Sequence, residues 1–348
     1  GPHRGGAAPP VSATLLRHPH VPVDALLAGL VPPRHFAEAS FASYVPDAAH
    51  PSQLQARDRL AELASQVLAP PRRRLLGPAR REPAGAVYLD GGFGVGKTHL
   101  LAALAHAVGT ERSSFGTFVE YTHLVGALGF VPTVQALRSR SLVCIDEFEL
   151  DDPGDTVLMA RLLRELADAG VTLAATSNTL PESLGEGRFA AEDFLREIQA
   201  LAARFEVLRI DGEDYRHRGA PTPSDGLPDD EVRSRTAAAH GECVEFDVLL
   251  AHLRTVHQSR YGALLERVRT LGLTGVRPLA DQNDALRLVV LVDRLYDHDV
   301  PVVLGGAGTT GLFSPTMLTG GYRKKYLRAL SRLTALAERG AGAADLVV

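Results

Sequence analysis

Two kinds of hydrophobic patterning alternate through the middle of the chain. Short apolar runs read as buried strands: Ala86–Asp90, Gly116–Tyr121, Ser141–Glu147, Val171–Asn178 and Phe205–Ile210. Between them, apolar residues recur three and four apart, as helices require. Leu100, Leu101, Leu104 and Val108 form one such set, and Val157, Leu158, Leu162, Leu166 and Ala169 form another within Pro153–Ala169. Glu192–Ala203 is also expected to be helical. Strands that alternate with helices imply an α/β fold with a parallel sheet covered on both faces. Ligands of such sheets bind at the carboxyl ends of the strands.

The flanks are patterned differently. Residues 1–22 are rich in Gly, Pro, Ala and His without a period, so no stable order is expected there. Ser52 is placed to cap a helix in which Leu54, Leu60, Leu63, Ala64 and Val67 approximate one face. Residues 23–213 therefore read as the core with an N-terminal helical segment. Residues 214–241 are charged and Pro-rich and read as a linker. Residues 242–348 read as a smaller, mainly helical domain. In it, Phe246, Leu249, Leu250, Leu253 and Val256 make an amphipathic helix, and Tyr322–Arg339 a basic one. Asp284–Tyr296 is apolar nearly all round, so periodicity leaves helix and strand open there. Pro301–Leu304 followed by Gly305–Gly308 reads as a strand and a loop.

Composition narrows the function classes. A net charge of −4 supplies no global field toward nucleic acid or an anionic membrane. Lys97, Lys324 and Lys325 are the only lysines. The Arg72–Arg74 and Arg80–Arg81 runs lie in Pro/Gly-punctuated sequence and read as solvated linker. With only Cys144 and Cys243, a disulfide framework is not indicated and a reducing cytosol is expected. No apolar run reaches the length of a membrane span, and the start shows no secretory pattern.

The chemistry concentrates at Gly91-Gly92-Phe93-Gly94-Val95-Gly96-Lys97-Thr98, a G-x-x-x-x-G-K-T loop between a strand and a helix. Its glycines let backbone N–H groups close around phosphate oxygens, and the helix N-terminus adds its positive dipole end. Lys97 can reach the β- and γ-phosphates, and the Thr98 hydroxyl can take a Mg²⁺ position. Asp146 and Glu147 follow four apolar residues, the Walker B arrangement. The first acid holds Mg²⁺ and the second polarises the attacking water. ATP and Mg²⁺ are thus the expected cofactors. The loop Gly305–Gly308 lacks the following Lys-Ser/Thr, so a second nucleotide site is not expected there.

Other candidates rest on less. Asn178 closes the strand after the Walker B helix, where its amide could orient the same water; a turn or cap role fits its residue type equally. Arg204, just before the fifth strand, is placed to act as an arginine finger on a neighbouring subunit, in competition with Arg188 and Arg196. Arg287, at the start of the apolar 284–296 segment, could lean over the nucleotide from the second domain.

Gly91–Leu101 together with Ala203–Glu206 resemble the AAA+ branch that includes the DnaA and DnaC initiators. A closer resemblance, to the ZapE family of cell-division ATPases, is carried by four stretches: Leu142–Glu149, the Leu158–Leu166 helix, Ala175–Pro181 and Asp214–Arg216. Arg287–Tyr296 extends it, and it covers most of residues 30–304. It implies an AAA+ type P-loop NTPase core with a lid-like C-terminal domain. By the same resemblance Asn178 looks like sensor 1, Arg204 like the finger, Arg287 like sensor 2, and Gln53 falls near the adenine. Asp151-Asp-Pro-Gly-Asp155 departs from the Thr-Asp-Ile-Ala-Asp run usual in proteobacterial members, which puts partner contacts at that turn in doubt.

The implied activity is Mg-dependent ATP hydrolysis in cell division. It would act on FtsZ or other division-ring proteins, with self-association into a ring or other oligomer. The implied location is the cytoplasm, peripheral to the inner membrane or at the division site. Two other readings compete: a DnaC-like, nucleic-acid-linked loader, which the negative charge disfavours, and a nucleotide-gated scaffold, which would not need Glu147.

Overall fold

The computed structural model describes residues 14–20, 22–70, 85–92, 94–148, 153–177, 199–213 and 221–342. Two compact units emerge, Pro22–His217 and a second that joins Gly1–Val21 to Arg218–Val348.

The first unit runs α1 (Val23–Ala28), α2 (Pro51–Leu68), β1 (Ala86–Gly91), α3 (Lys97–Val108), β2 (Ser113–Thr117), α4 (Phe118–Leu128), α5 (Phe130–Leu137), β3 (Leu142–Asp146), α6 (Pro153–Asp168), β4 (Thr172–Ser177) and β5 (Glu206–Ile210). The strands form a five-stranded sheet in the order β2-β3-β4-β1-β5, with every pairing parallel. Parallel strands need crossovers, and the crossover helices cover both faces. The alternation along each strand sorts side chains between two cores. Tyr88, Val143, Ile145 and Leu173 pack with α4, α5 and α6. Val87, Leu89, Leu142, Cys144 and Ala174 pack with α2 and α3.

Two readings within this unit change. The stretch Gly116–Tyr121 is not one strand, because β2 stops at Thr117 and α4 begins at Phe118. Thr117 and Glu120 form a capping box: the Thr117 hydroxyl accepts from Glu120 N at 3.2 Å, and the Glu120 carboxylate accepts from Thr117 N at 3.4 Å. Nor does Ser52 cap α2. The helix starts at Pro51, where a missing N–H costs nothing, and the Ser52 hydroxyl instead accepts from Asp211 N at 2.8 Å.

The second unit contains α7 (Asp229–Ala238), β6 (Glu242–Glu245), α8 (Phe246–Leu253), α9 (Tyr261–Leu264), β7 (Leu271–Thr274), α10 (Gln282–Asp297), β8 (Val302–Leu304), α11 (Pro315–Thr319) and α12 (Arg323–Gly342). Most of it is helical, and it also carries a parallel sheet in the order β6-β7-β8. Two of these strands escape sequence reading because four residues are too few to show a period. Residues 284–296, left open by periodicity, lie in the helix α10.

The expected linker contains α7, whose inward face is only Val232 and Thr236; the Thr236 hydroxyl donates to Val232 O, so a polar residue is accommodated there. Residues 14–20 also depart from the expected unordered tail. Leu15 is buried in the second unit's core, its N–H donates to the Glu242 carboxylate, and Arg17 donates to Ala263 O at 2.6 Å. These contacts span more than two hundred positions, so no local pattern announces them.

The glycine loop after β8 serves packing. Gly226 N donates to Gly306 O at 3.0 Å and Leu227 N to Leu304 O at 2.8 Å. A Cβ on Gly226 would lie 2.2 Å from Gly305 C, so only glycine lets these two backbones meet. The basic helix α12 turns part of its charge inward: Arg328 and Arg332 donate to the buried Asp293 at 3.0 and 2.6 Å. Burial pushes the Asp293 carboxyl up, but Arg328, Arg332 and Arg294 together outweigh it and hold it below the usual carboxylate range. Among the described residues no helix is long and apolar enough to cross a membrane.

Candidate active site

The sheet order brings the two motifs together. β4 lies between β1 and β3, so the loops that leave β1 and β3 open at the same carboxyl edge. Gly91 ends β1, and Asp146 ends β3. Phe93 lies outside the described residues, as do Asn178, Arg188 and Arg196.

The loop after β1 is shaped by backbone conformation. Gly94 and Gly96 have φ of 79° and 88°, which an L side chain rarely adopts. Gly96 is the N-cap of α3 and contributes no side-chain cap, so the N-terminal amides of the helix open onto the loop. The Lys97 ammonium donates to the carbonyls of Gly91 at 2.6 Å and Gly92 at 2.7 Å. A cation, glycine backbone and an uncapped helix N-terminus make a cradle suited to phosphate.

The other wall of the loop comes from residues ahead of the core. The Tyr44 ring covers Gly96, where an added Cβ would lie 2.6 Å from Cε2. Its hydroxyl donates to Val95 O at 2.9 Å. His99, in the first turn of α3, lies within hydrogen-bonding distance of Ser43 Oγ (2.9 Å) and Ser40 O (3.1 Å). Gln53 is buried, with Nε2 donating to Asp211 O at 2.9 Å and Oε1 accepting from Asp47 N at 2.8 Å. Its amide thus ties the start of α2 to the end of β5, the strand beside β1. Tyr44 carries no motif that sequence reasoning could have used.

The acids complete the site. The Thr98 hydroxyl lies 3.2 and 3.1 Å from the two carboxylate oxygens of Asp146, which is buried. A hydroxyl and a carboxylate side by side are hard oxygen donors, the set that Mg²⁺ takes. Glu147, the next residue, has φ of 54°. That conformation is uncommon for a non-glycine residue and marks functional sites more often than chance. Thr176 of β4 holds it. Its hydroxyl accepts from Glu147 N at 3.0 Å and donates to Asp146 Oδ1, while its carbonyl accepts from Phe148 N at 2.7 Å. Cys144, on the same strand, is fully buried, and burial with the Asp146 charge raises its thiol far above the ordinary range.

Arg204 and Arg287 are each paired with an aspartate. Arg204 donates to Asp168 Oδ1 at 2.8 Å, with both side chains substantially exposed. Arg287 belongs to the second unit, where it donates to Asp284 Oδ1 at 3.2 Å. Asp284 is also gripped by Arg254, and that hydrogen bond holds its carboxyl below the usual range.

The chain is similar to known proteins in sequence. The family model of the AFG1-like ATPases matches residues 20–231 and 220–341. The cell division protein ZapE of Escherichia coli is 26% identical over 269 residues, which is 65% of this chain and 71% of that protein. Lactation elevated protein 1 homolog B of Danio rerio is 25% identical over 162 residues, 40% of this chain and 32% of its own. Among solved structures, domain III of the Thermotoga maritima replication initiation protein DnaA is 17% identical at a TM-score of 0.38, covering 66% of this chain and 87% of that one. The expected resemblance to ZapE therefore holds at the level of the family. With the model matched across nearly the whole chain and a P-loop and acid pair at one sheet edge, the chain belongs to the AFG1-like ATPase family.

Proposed function

We propose that this protein hydrolyses ATP with Mg²⁺ and uses the cycle in cell division, acting on FtsZ or other division-ring assemblies. One observation carries the enzymatic part: Lys97, Thr98, Asp146 and Glu147 converge on the carboxyl edge of β1 and β3. The division role rests on the likeness to ZapE.

The residues divide the work. Lys97 and the α3 amides bind the phosphates and oppose their charge. Thr98 and Asp146 would hold Mg²⁺, whose charge offsets that developing on the phosphoryl oxygens. Glu147 orients the attacking water and accepts its proton. Arg204 is the finger supplied to a neighbouring copy in a ring or other oligomer. Its pair with Asp168 is exposed, and such pairs are worth about 0–1 kcal/mol, so the arginine is readily exchanged onto a phosphate. Asn178 as a second water-orienting group, Arg287 in the sensor 2 role and Gln53 beside the adenine complete the proposed set. The proposed location is the cytoplasm, peripheral to the inner membrane or at the division site.

The test is ATP turnover by the purified protein with and without Mg²⁺, FtsZ polymers and DNA. Stimulation by FtsZ supports the division role. Stimulation by DNA alone would instead favour a loader, and binding without turnover a scaffold. For the finger, Lys97→Ala protein mixed with Arg204→Ala protein should recover activity, because each brings what the other lacks. Recovery is expected to be large, since fingers contribute about 10³- to 10⁵-fold. No recovery in mixtures that co-assemble would point to a finger acting in cis, or to Arg188 or Arg196 in place of Arg204.

A further inference from the structure

Thr176 lies in β4, one residue beyond the Ile145↔Ala175 pairing, so it faces Asp146 across the strand boundary. It is 2% exposed in the middle of a five-stranded sheet. At such a position an apolar β-branched residue would serve packing better, because a buried hydroxyl is unfavourable unless hydrogen-bonded. Here the hydroxyl is bonded on both sides, and both partners belong to the Walker B pair. Its proton goes to Asp146 Oδ1, and its lone pair receives Glu147 N at 3.0 Å. The second contact fixes the amide of the residue that holds φ of 54°. The first restrains the carboxylate that also lies against Thr98 Oγ1.

We infer that Thr176 is a positioning residue for hydrolysis: one hydroxyl sets the Asp146 carboxylate and the Glu147 main chain in mutual register. The inference rests on the ATPase reading above. It touches neither substrate nor the reacting atoms; it acts through the two acids. Removing the hydroxyl frees Glu147 to relax from the left-handed region and turn its carboxylate away. The binding cradle, built from β1 and α3, keeps its own contacts.

The consequence is a separation of kcat from binding. Thr176→Val keeps the shape and removes both hydrogen bonds. It should lower kcat about 10- to 100-fold, the usual loss when an outer partner of a metal-site ligand is removed. The Kd for ATP measured without Mg²⁺ should stay within about twofold, since no cradle contact is altered. Thr176→Ser, which retains the oxygen, should restore most of the rate. In a Glu147→Gln background, the residual single-turnover rate should fall by a clearly smaller factor on adding Thr176→Val, because the part of its action that runs through Glu147 is already lost.

Wild-type kcat in Thr176→Val, or the same fold-loss with and without Glu147, would overturn the inference. So would failure of Thr176→Ser to recover the rate while Thr176→Val binds ATP normally. Should Thr176→Val not fold, Thr176→Ala compared with Thr176→Ser carries the same test. If the wild-type protein with Mg²⁺ does not hydrolyse ATP at all, the ATPase reading fails first and takes the inference with it.

Discussion

The backbone at Glu147 makes a prediction about stability that is separable from catalysis. A non-glycine L-residue in the left-handed region is disfavoured by about 1–2 kcal/mol, because Cβ approaches the carbonyl oxygen. Glu147 is held at φ 54° with its N–H bonded to the Thr176 hydroxyl. Asparagine, with a short amide that can bond its own backbone, tolerates the region far better. Glu147→Gln and Glu147→Asn both remove the carboxylate and should both fail to hydrolyse ATP. They should nevertheless differ in stability. Glu147→Gln keeps the strain, whereas Glu147→Asn should release about 1 kcal/mol of it. For a unit of this size that is ~2–4 °C in Tm. Glu147→Gly should gain less than Glu147→Asn, since the freedom of glycine in the unfolded chain takes back about 0.5–1 kcal/mol. The protein has no Trp, so unfolding is best followed by far-UV circular dichroism in urea and on heating. Glu147→Gln as stable as Glu147→Asn, or more so, would refute the strain. The description of Thr176 as its holder would then lose its basis.

Three further outcomes follow from other parts of the structure. Gly96→Ala places a Cβ 2.6 Å from the Tyr44 ring at φ 88°, combining left-handed strain with overpacking. At a combined ~2 kcal/mol or more expressed at the loop, the ATP Kd should rise by about 30-fold or more in a fluorescent-nucleotide titration. Asp293 is buried between Arg328 and Arg332, so Asp293→Asn should destabilise the second unit by about 3–5 kcal/mol in urea unfolding, by leaving those guanidiniums without their acid. Its folded carboxyl is depressed below its unfolded value of about 3.9, so its contribution is present at neutral pH and lost as pH falls through the folded value; Asp293→Asn should therefore flatten the acid limb of the stability curve. Cys144 and Cys243 should titrate as free thiols, with Cys144 unreactive toward thiol reagents until the protein unfolds.

Much of the site was legible because its chemistry is local. The P-loop is one contiguous stretch flanked by strand and helix signals, and the acids end an apolar run. Their convergence needed only the inference of a parallel sheet. What escaped was non-local or masked by composition. Tyr44 covers Gly96 across fifty-odd positions with no motif to mark it. Thr176 looks like an ordinary β-branched strand residue until the register sets it against Asp146. Helix α7 was hidden by its polar surface, and the docking of Leu15 by sequence distance. The capping box at Thr117 and Glu120 was present in the sequence, but the β-branched and aromatic content of the stretch favoured the strand. Asn178, whose part in the site was expected from its place after β4, lies outside the described residues.

The central claim is that one sheet edge both binds ATP and hydrolyses it, with the two tasks assigned to different residues. The direct measurement is ATP affinity and steady-state turnover, side by side, for wild-type, Lys97→Ala and Glu147→Gln proteins in Mg²⁺. The account predicts that Lys97→Ala loses affinity, and that Glu147→Gln binds ATP as the wild type does while its turnover collapses. A Glu147→Gln protein that hydrolyses ATP at the wild-type rate would contradict it.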